Sequence, residues 1–113
     1  REDVSPKFIA REIEDLSKFL ERETGGKCMI YGLNNRTLPR GITAKAYKAK
    51  RNSINKLLKQ TWSDYCKYRY YHTHLTDDHL KWDGIHLNDM GNFHLKGRII
   101  ADVVKFYSKI QAE

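Results

Sequence analysis

Hydrophobic residues near the N-terminus of the chain recur with helical spacing. Ser5-Pro6 offers a hydroxyl N-cap followed by proline at the first helical position, where its missing N–H costs nothing. Gly25-Gly26 marks the end of the pattern. We therefore expect a first helix over about residues 6–23. Its apolar stripe repeats every three or four residues and consists of Ile9, Ile13, Leu16 and Leu20.

Two short apolar runs predict strands. The first covers residues 27–33, directly after the glycine stop, and has the continuous apolar character of a strand buried in a parallel sheet. The second covers residues 67–72 and is dominated by tyrosine. Residues 34–41, rich in Asn, Gly and Pro, form a loop after the first strand.

Two further segments have helical periodicity. The segment from about 44 to 62 places lysines outward, with an inward face of Tyr47, Ile54, Leu57 and Leu58. The segment from about 89 to 111 has a cap in Asn88 or Asp89. Its apolar stripe consists of Leu95, Ile99, Val103 and Phe106. Residues 73–87 between these segments are irregular and polar.

The order of elements is therefore α-β-α-β-α in a single domain of 113 residues. Such alternation implies parallel strands joined by right-handed crossovers, which is typical of α/β folds. Two strands form only a ribbon, whereas parallel sheets are usually larger and covered on both faces. We expect that N-terminal strands are missing, or that a partner chain completes the sheet. Assembly through the open strand edge is a further hypothesis.

The charge balance suggests a second class of partner. The net charge is +7, and the basic residues concentrate between Lys45 and Arg69, interleaved with aromatic residues. Cations that follow phosphates and rings that stack on bases are features of proteins that bind single-stranded nucleic acid. A solvated helix face combined with core aromatics gives the same pattern. No nucleic-acid-binding motif accompanies it.

Composition excludes several other classes. Apolar residues make up 40% and charged residues 31% of the chain, which is typical of a globular segment. No apolar run approaches the roughly 18 residues of a membrane span, and no signal-peptide pattern is present, so the sequence predicts no membrane partner and leaves localisation open. Cys28 and Cys66 both fall in apolar stretches and are interpreted as small buried hydrophobes.

The segment richest in chemistry is Trp82-Asp83-Gly84-Ile85-His86-Leu87-Asn88-Asp89-Met90-Gly91. Asp83 and His86 are three residues apart on a tight turn that Gly84 permits. This spacing lets the carboxylate accept the proton on Nδ1 of the imidazole, which leaves Nε2 free as a base. Such a pair can take a proton from a serine hydroxyl and return it to a leaving group.

This block resembles the last conserved block of the SGNH (GDSL-type) hydrolases, in which the triad Asp and His occupy the first and fourth positions. The likeness is strong over residues 82–104 and looser upstream, through Leu38-Pro39-Arg40 and the helix around Arg51-Asn52. It implies a partial flavodoxin-like, three-layer α/β fold. It also implies a serine esterase acting on small acyl esters, with Asp83 orienting the ring and His86 as general base. No cofactor and no metal are implied.

The chain departs from the family pattern on the nucleophile side. The Gly-Asp-Ser-type block and the glycine block of the oxyanion hole are absent. If residues 1–4 are the tail of the third block, Glu2 stands where the family has an asparagine, and an ionised carboxylate repels a developing oxyanion. We therefore expect the chain to be inactive alone. The remaining serines all lie in or next to predicted helices: Ser5, Ser17, Ser53, Ser63 and Ser108.

The other histidines and His86 itself have alternative interpretations. His72 and His74 would project to one side of a strand, as metal ligands can, but their spacing matches no familiar zinc signature. Ordinary loop histidines near acidic residues, with His79 and His94 among them, fit equally. For His86 the alternative is a structural histidine that ties the loop to Asp83.

Overall fold

The computed structural model of the protein describes residues 4–65 and 70–112, with side chains for 4–61 and 70–111. It contains three long helices, two short strands and one 3₁₀ turn, Asp77–His79. The elements in chain order are α1 (Pro6–Thr24), β1 (Ile30–Tyr31), α2 (Ala44–Tyr65), β2 (Tyr70–Tyr71) and α3 (Asp89–Ala112). The two strands pair in parallel, with Ile30 opposite Tyr70 and Tyr31 opposite Tyr71. Cys66 and the first part of the predicted second strand lie outside the described residues.

Helix α1 begins and ends where its capping residues predict. The Ser5 hydroxyl accepts a hydrogen bond from the Phe8 N–H at 3.1 Å, and Pro6 is the first helical residue. At the other end Gly25 adopts a left-handed conformation with φ of 72°, and its N–H donates to the Glu21 carbonyl at 2.9 Å. The predicted bounds of this helix are confirmed to within one residue.

The core lies where α1 and α2 pack together over the strand ribbon. Its buried members are Ala10, Ile30, Ile54 and Leu58. Partly buried side chains surround them: Ile9, Ile13, Leu57 and Tyr70. The predicted inward face of α2 is confirmed, because Ile54 and Leu58 are buried and Tyr47 and Leu57 are half-buried.

The expectation of a flavodoxin-like, three-layer α/β fold is wrong. Over residues 4–65 and 70–112 the molecule is mainly helical, and its sheet there is a ribbon of two residues per strand. Side chains from the helices form hydrogen bonds with backbone groups that would bind a neighbouring strand if the strands were longer. The Asn55 amide binds both the N–H and the carbonyl of Leu33, at 2.7 and 3.1 Å, and a Glu21 carboxylate oxygen accepts from the Cys28 N–H at 2.9 Å. These contacts end β1 on both sides.

The predicted apolar stripes of α1 and α3 are also wrong in part. On α1, Leu16 and Leu20 are 58% and 42% exposed, whereas Ala10 and Ser17 are buried. Ala10 is the small residue of α1 that packs in the core shared with α2. On α3, only Phe106 of the predicted stripe is buried, and Ile99 and Val103 are largely exposed.

Helix α3 is attached to the ribbon through a buried carboxylate. Asp102 is 5% exposed, and its Oδ2 accepts a hydrogen bond from the Tyr31 hydroxyl at 2.8 Å. Burial raises the pKa of Tyr31 above its ordinary range, and the hydrogen bond to Asp102 acts in the same direction. Arg98 approaches the same carboxylate at 3.9 Å. Since Ile30 faces the α1–α2 core, consecutive residues of β1 contact opposite sides of the ribbon.

We expect Tyr31→Phe to destabilise the protein, because it leaves the buried Asp102 carboxylate without its hydroxyl donor. A loss of about 1–3 kcal/mol in the free energy of unfolding is typical of a buried group stripped of its partner. Urea unfolding followed by circular dichroism measures the loss. Tyr107→Phe removes the same hydroxyl from a side chain that is 63% exposed and should leave stability unchanged. Equal effects of the two variants would contradict this role of Asp102.

Candidate active site

The predicted pair of site residues is brought together. His86 Nδ1 lies 2.5 Å from Asp83 Oδ2. The other carboxylate oxygen, Oδ1, accepts hydrogen bonds from the backbone N–H groups of Ile85 and His86 at 2.9 and 3.0 Å. Asp83 thus accepts one side-chain and two backbone hydrogen bonds, all from residues within three positions. The turn itself fixes both partners.

The two side chains differ in exposure. The Asp83 side chain is 24% exposed and the His86 side chain 68%. With the Nδ1 proton donated to Asp83, the Nε2 atom carries a lone pair, and no described residue forms a hydrogen bond with it. The arrangement therefore orients the imidazole, and when the ring is neutral its basic nitrogen faces solvent. This is the state in which a histidine acts as a general base.

Hydrogen bonds hold the Asp83 carboxylate in its ionised form. The contact with His86 is the largest influence, and the two backbone N–H donors add to it. Together they lower the pKa of Asp83 well below its usual range. An orienting carboxylate has to stay charged while the imidazole gains and loses its proton, and this environment favours the charge.

Gly84 permits the turn and its close contact with a distant loop. Its φ is 70°, a conformation that residues with a Cβ rarely adopt. A Cβ here would lie 2.5 Å from Thr37 Oγ1 and 2.6 Å from the backbone nitrogen of Leu38. The Gly84 carbonyl in turn accepts a hydrogen bond from the Thr37 N–H at 2.9 Å. The loop after β1 is therefore seated directly on the turn that carries Asp83 and His86.

The base of the turn is closed by Leu80, Leu87 and Asn88. Leu80 and Leu87 form an isolated antiparallel bridge, and the Lys81 N–H donates to the His86 carbonyl at 2.7 Å. The Asn88 amide donates to the Asp78 carbonyl at 2.8 Å, while its oxygen accepts from the Gly91 N–H at 2.8 Å. Asn88, not Asp89, is thus the capping residue of α3. It joins that helix to the 3₁₀ turn.

Sequence reasoning missed these supporting contacts for different reasons. The sequence predicts Asn88 only as one of two possible caps of α3. Its hydrogen bond to the Asp78 carbonyl is a second role, and its place directly after the Asp-Gly-Ile-His-Leu string could have indicated it. The contact of Thr37 and Leu38 with Gly84 cannot be predicted from the sequence pattern, because these residues are more than 40 positions from Gly84 in the chain.

The remaining histidines form no site with His86. His79 and His94 stack on each other with ring centroids 5.1 Å apart, and His79 Nδ1 accepts from the Thr76 N–H at 2.9 Å. His72 and His74 lie edge to face at 6.0 Å. Burial lowers the pKa of His72, with smaller contributions from Lys59 and His74. Within residues 4–65 and 70–112, no three potential ligands cluster to hold a metal ion.

No described serine forms a hydrogen bond with His86. The hydroxyl of Ser5 caps α1, and those of Ser17 and Ser108 donate to carbonyls of their own helices. No hydrogen bond links Ser53 to His86 in the described part of the chain. The Ser63 side chain and Glu2, the residue aligned with the oxyanion asparagine, lie outside the described residues.

None of the three helices, over their described lengths, has the size and apolar character to cross a membrane.

We expect Gly84→Ala to cost more stability than Gly41→Ala. Both glycines have positive φ, 70° and 74°, so each substitution carries a conformational cost of about 1–2 kcal/mol. A Cβ at Gly41 meets nothing within 4 Å, whereas one at Gly84 collides with backbone and side chain of the adjoining loop. Urea unfolding of both variants measures the difference. Equal losses would show that the loop does not press on the turn.

The stabilising effect of the Asp83 carboxylate should depend on pH in one direction. Because the folded state lowers the pKa of Asp83, its contribution is complete above the unfolded value of about 3.9 and is lost as the pH falls below it. The difference in unfolding free energy between wild type and Asp83→Asn should therefore shrink from pH 6 to pH 3. Asp15→Asn, which removes an exposed charge on α1, should stay close to wild type at both values. A difference that grows on acidification would contradict the assignment.

Comparisons with protein-family models, with curated proteins and with solved structures found no match to this chain. The functional interpretation therefore depends on the geometry of the site.

Proposed function

We propose that Asp83 and His86 are the orienting carboxylate and the general base of a serine ester hydrolase. A segment or partner chain outside the described residues supplies the nucleophilic serine. The observation that carries the proposal is the 2.5 Å contact between Asp83 Oδ2 and His86 Nδ1, combined with a solvent-facing Nε2. The substrate class is a small acyl ester. The 113 residues alone are inactive.

The chemistry follows from the pair. Nε2 of His86 removes the proton from the serine hydroxyl as the oxygen attacks the ester carbonyl carbon. The resulting imidazolium is stabilised by the ionised Asp83 and then gives its proton to the departing alkoxide. In the second half, Nε2 takes a proton from water as the water attacks the acyl-enzyme. The imidazolium then returns this proton to the serine oxygen as the acid leaves. The donors that stabilise the oxyanion come with the serine.

The exposed apolar surface beside the turn supports a completing segment. Helix α3 begins three residues after His86, and several large apolar side chains along it are more than 60% exposed: Met90, Phe93, Ile100, Val104 and Tyr107. Contiguous apolar surface of this kind marks sites that another polypeptide covers. Trp82, next to Asp83, is 92% exposed as well. A segment seated there brings its own residues close to Nε2.

Binding of single-stranded nucleic acid is the alternative function. The described part of α2 exposes lysines at positions 45, 48, 56 and 59 and contains no acidic residue up to position 61. Such a surface attracts polyanions. The aromatic residues that would stack on bases lie mainly outside the described side chains, at Trp62, Tyr65 and Tyr68. The hydrolase proposal has the more specific geometry.

A fluorophosphonate probe applied to the natural protein, at the length and together with any partner chain with which it occurs, tests the hydrolase proposal. Such probes form an adduct only with an activated serine. We expect an adduct outside the 113 residues, formed about 100- to 10,000-fold more slowly in His86→Ala, the range for loss of a general base. His74→Asn is the control, because His74 is exposed and its φ of 59° suits asparagine.

Two outcomes would contradict the proposal. A natural protein without any serine adduct would leave His86 a structural residue. An adduct that forms at the same rate in His86→Ala would exclude it as the base. The 113-residue chain alone should not turn over 4-nitrophenyl acetate, and turnover by it that is abolished in His86→Ala would overturn the claim of inactivity.

A further inference from the structure

A cavity of about 260 Å³ lies between α1, the loop after β1 and the first half of α2. Its apolar wall comes from all three elements and includes Ile9, Ile42 and Ile54. Four cationic side chains line the rest, and no carboxylate is among the described lining residues. The cations are Arg36, Arg40, Lys50 and Arg51. The cavity therefore combines an apolar surface with one sign of charge.

The cations are held on two facing walls. Arg36 and Arg40 lie on the loop, whereas Lys50 and Arg51 lie one turn after Tyr47 on the same side of α2. The Arg36 guanidinium carbon is 5.8 Å from the centroid of the Tyr47 ring. The Tyr47 hydroxyl donates to the Asn34 carbonyl at 2.9 Å, so this ring ties the loop to the helix. The walls are positioned before any ligand is bound.

Arg51 has an unused donor. Its Nη2 atom donates to Asn52 Oδ1 at 2.9 Å, but its Nε atom is buried and has no hydrogen-bond partner among the described residues. A buried donor of a charged group without an acceptor is costly, and native structures rarely keep one without a reason. An anion in the cavity would offer acceptors to the Arg51 guanidinium. It also relieves the repulsion among Arg36, Arg40 and Arg51.

We propose that this cavity binds an organic anion with a short apolar tail. The carboxylate or phosphate of such a ligand lies against the guanidinium groups, whose planar forks match either head group. The tail lies on the isoleucines of the apolar wall. The volume is slightly below the roughly 300–1,000 Å³ of typical small-molecule sites, which restricts the ligand to a compact one. The proposal stands independently of the hydrolase function.

Calorimetric titration of the whole chain with four ligands tests whether both the charged head group and the apolar tail contribute to binding. Octanoate and mono-octyl phosphate, kept below their critical micelle concentrations, carry charge and tail; 1-octanol carries only the tail and inorganic phosphate only the charge. We expect saturable one-to-one binding of at least one of the two charged amphiphiles, about tenfold or more tighter than of either partial ligand. Which of the two binds more tightly identifies the head group.

Matched variants place the binding in the cavity. Arg51→Gln should weaken binding about tenfold, as expected for loss of a hydrogen bond to a charged group. Arg36→Gln, on the loop, should also weaken binding about tenfold. If Arg51→Gln alters the fold, Arg36→Gln tests whether the ligand binds in the cavity. Lys45→Gln removes the same charge from an exposed position of α2 outside the cavity and should change affinity less than twofold.

Four results would overturn the proposal. Octanol that binds as tightly as the charged amphiphiles would mean that the arginines do not recognise the ligand. Inorganic phosphate that binds as tightly would mean that the apolar wall contributes nothing. Equal weakening in Lys45→Gln and in the two arginine variants, or no binding of either charged amphiphile, would remove the site altogether.

Discussion

The Asp83 carboxylate organises the part of the molecule that carries chemistry. It accepts hydrogen bonds from two successive backbone N–H groups and from the imidazole of His86, so a single side chain defines the turn and aims the ring. The same turn exposes the Gly84 carbonyl, which receives the Thr37 N–H and seats the loop after β1. Because the Asp83 carboxylate is held ionised, the three hydrogen bonds that it accepts are charge-assisted and stronger than those between neutral groups. The position of the loop depends on this turn.

Features set by neighbours in the chain were predictable from sequence. The caps of α1 and the contact between Asp83 and His86 join residues at most a few positions apart, and residue type with spacing is enough to predict them. The ends of β1 were not predictable, because Asn55, 22 positions away, binds the backbone of Leu33. The seat of Thr37 on Gly84 and the grouping of four cations around one cavity are likewise tertiary contacts. No local pattern encodes them.

The faces of α1 and α3 show why hydrophobic periodicity misled. Periodicity identifies an apolar side of a helix but not the partner that covers it. In α1 the buried residues are Ala10, which packs with Ile54 and Leu58 of α2, and Ser17, whereas the larger Leu16 is exposed. In α3 the packed line runs through Asp102 and Phe106. On these two helices, large apolar residues such as Leu16 and Val103 are exposed, whereas Ala10, Ser17, Asp102 and Phe106 are buried. Periodicity therefore identifies an apolar helix face but not the residues that the fold buries.

The loop after β1 links the two sites of the molecule. Its residues Thr37 and Leu38 contact Gly84, and the flanking Arg36 and Arg40 line the cationic cavity. The residues that contact Gly84 lie between residues that line the cavity, all within five consecutive positions, so one short segment contributes to both. The hydrogen bond from Thr37 to Gly84 fixes the loop between Arg36 and Arg40, so the turn that Asp83 holds also helps to place these two arginines at the cavity.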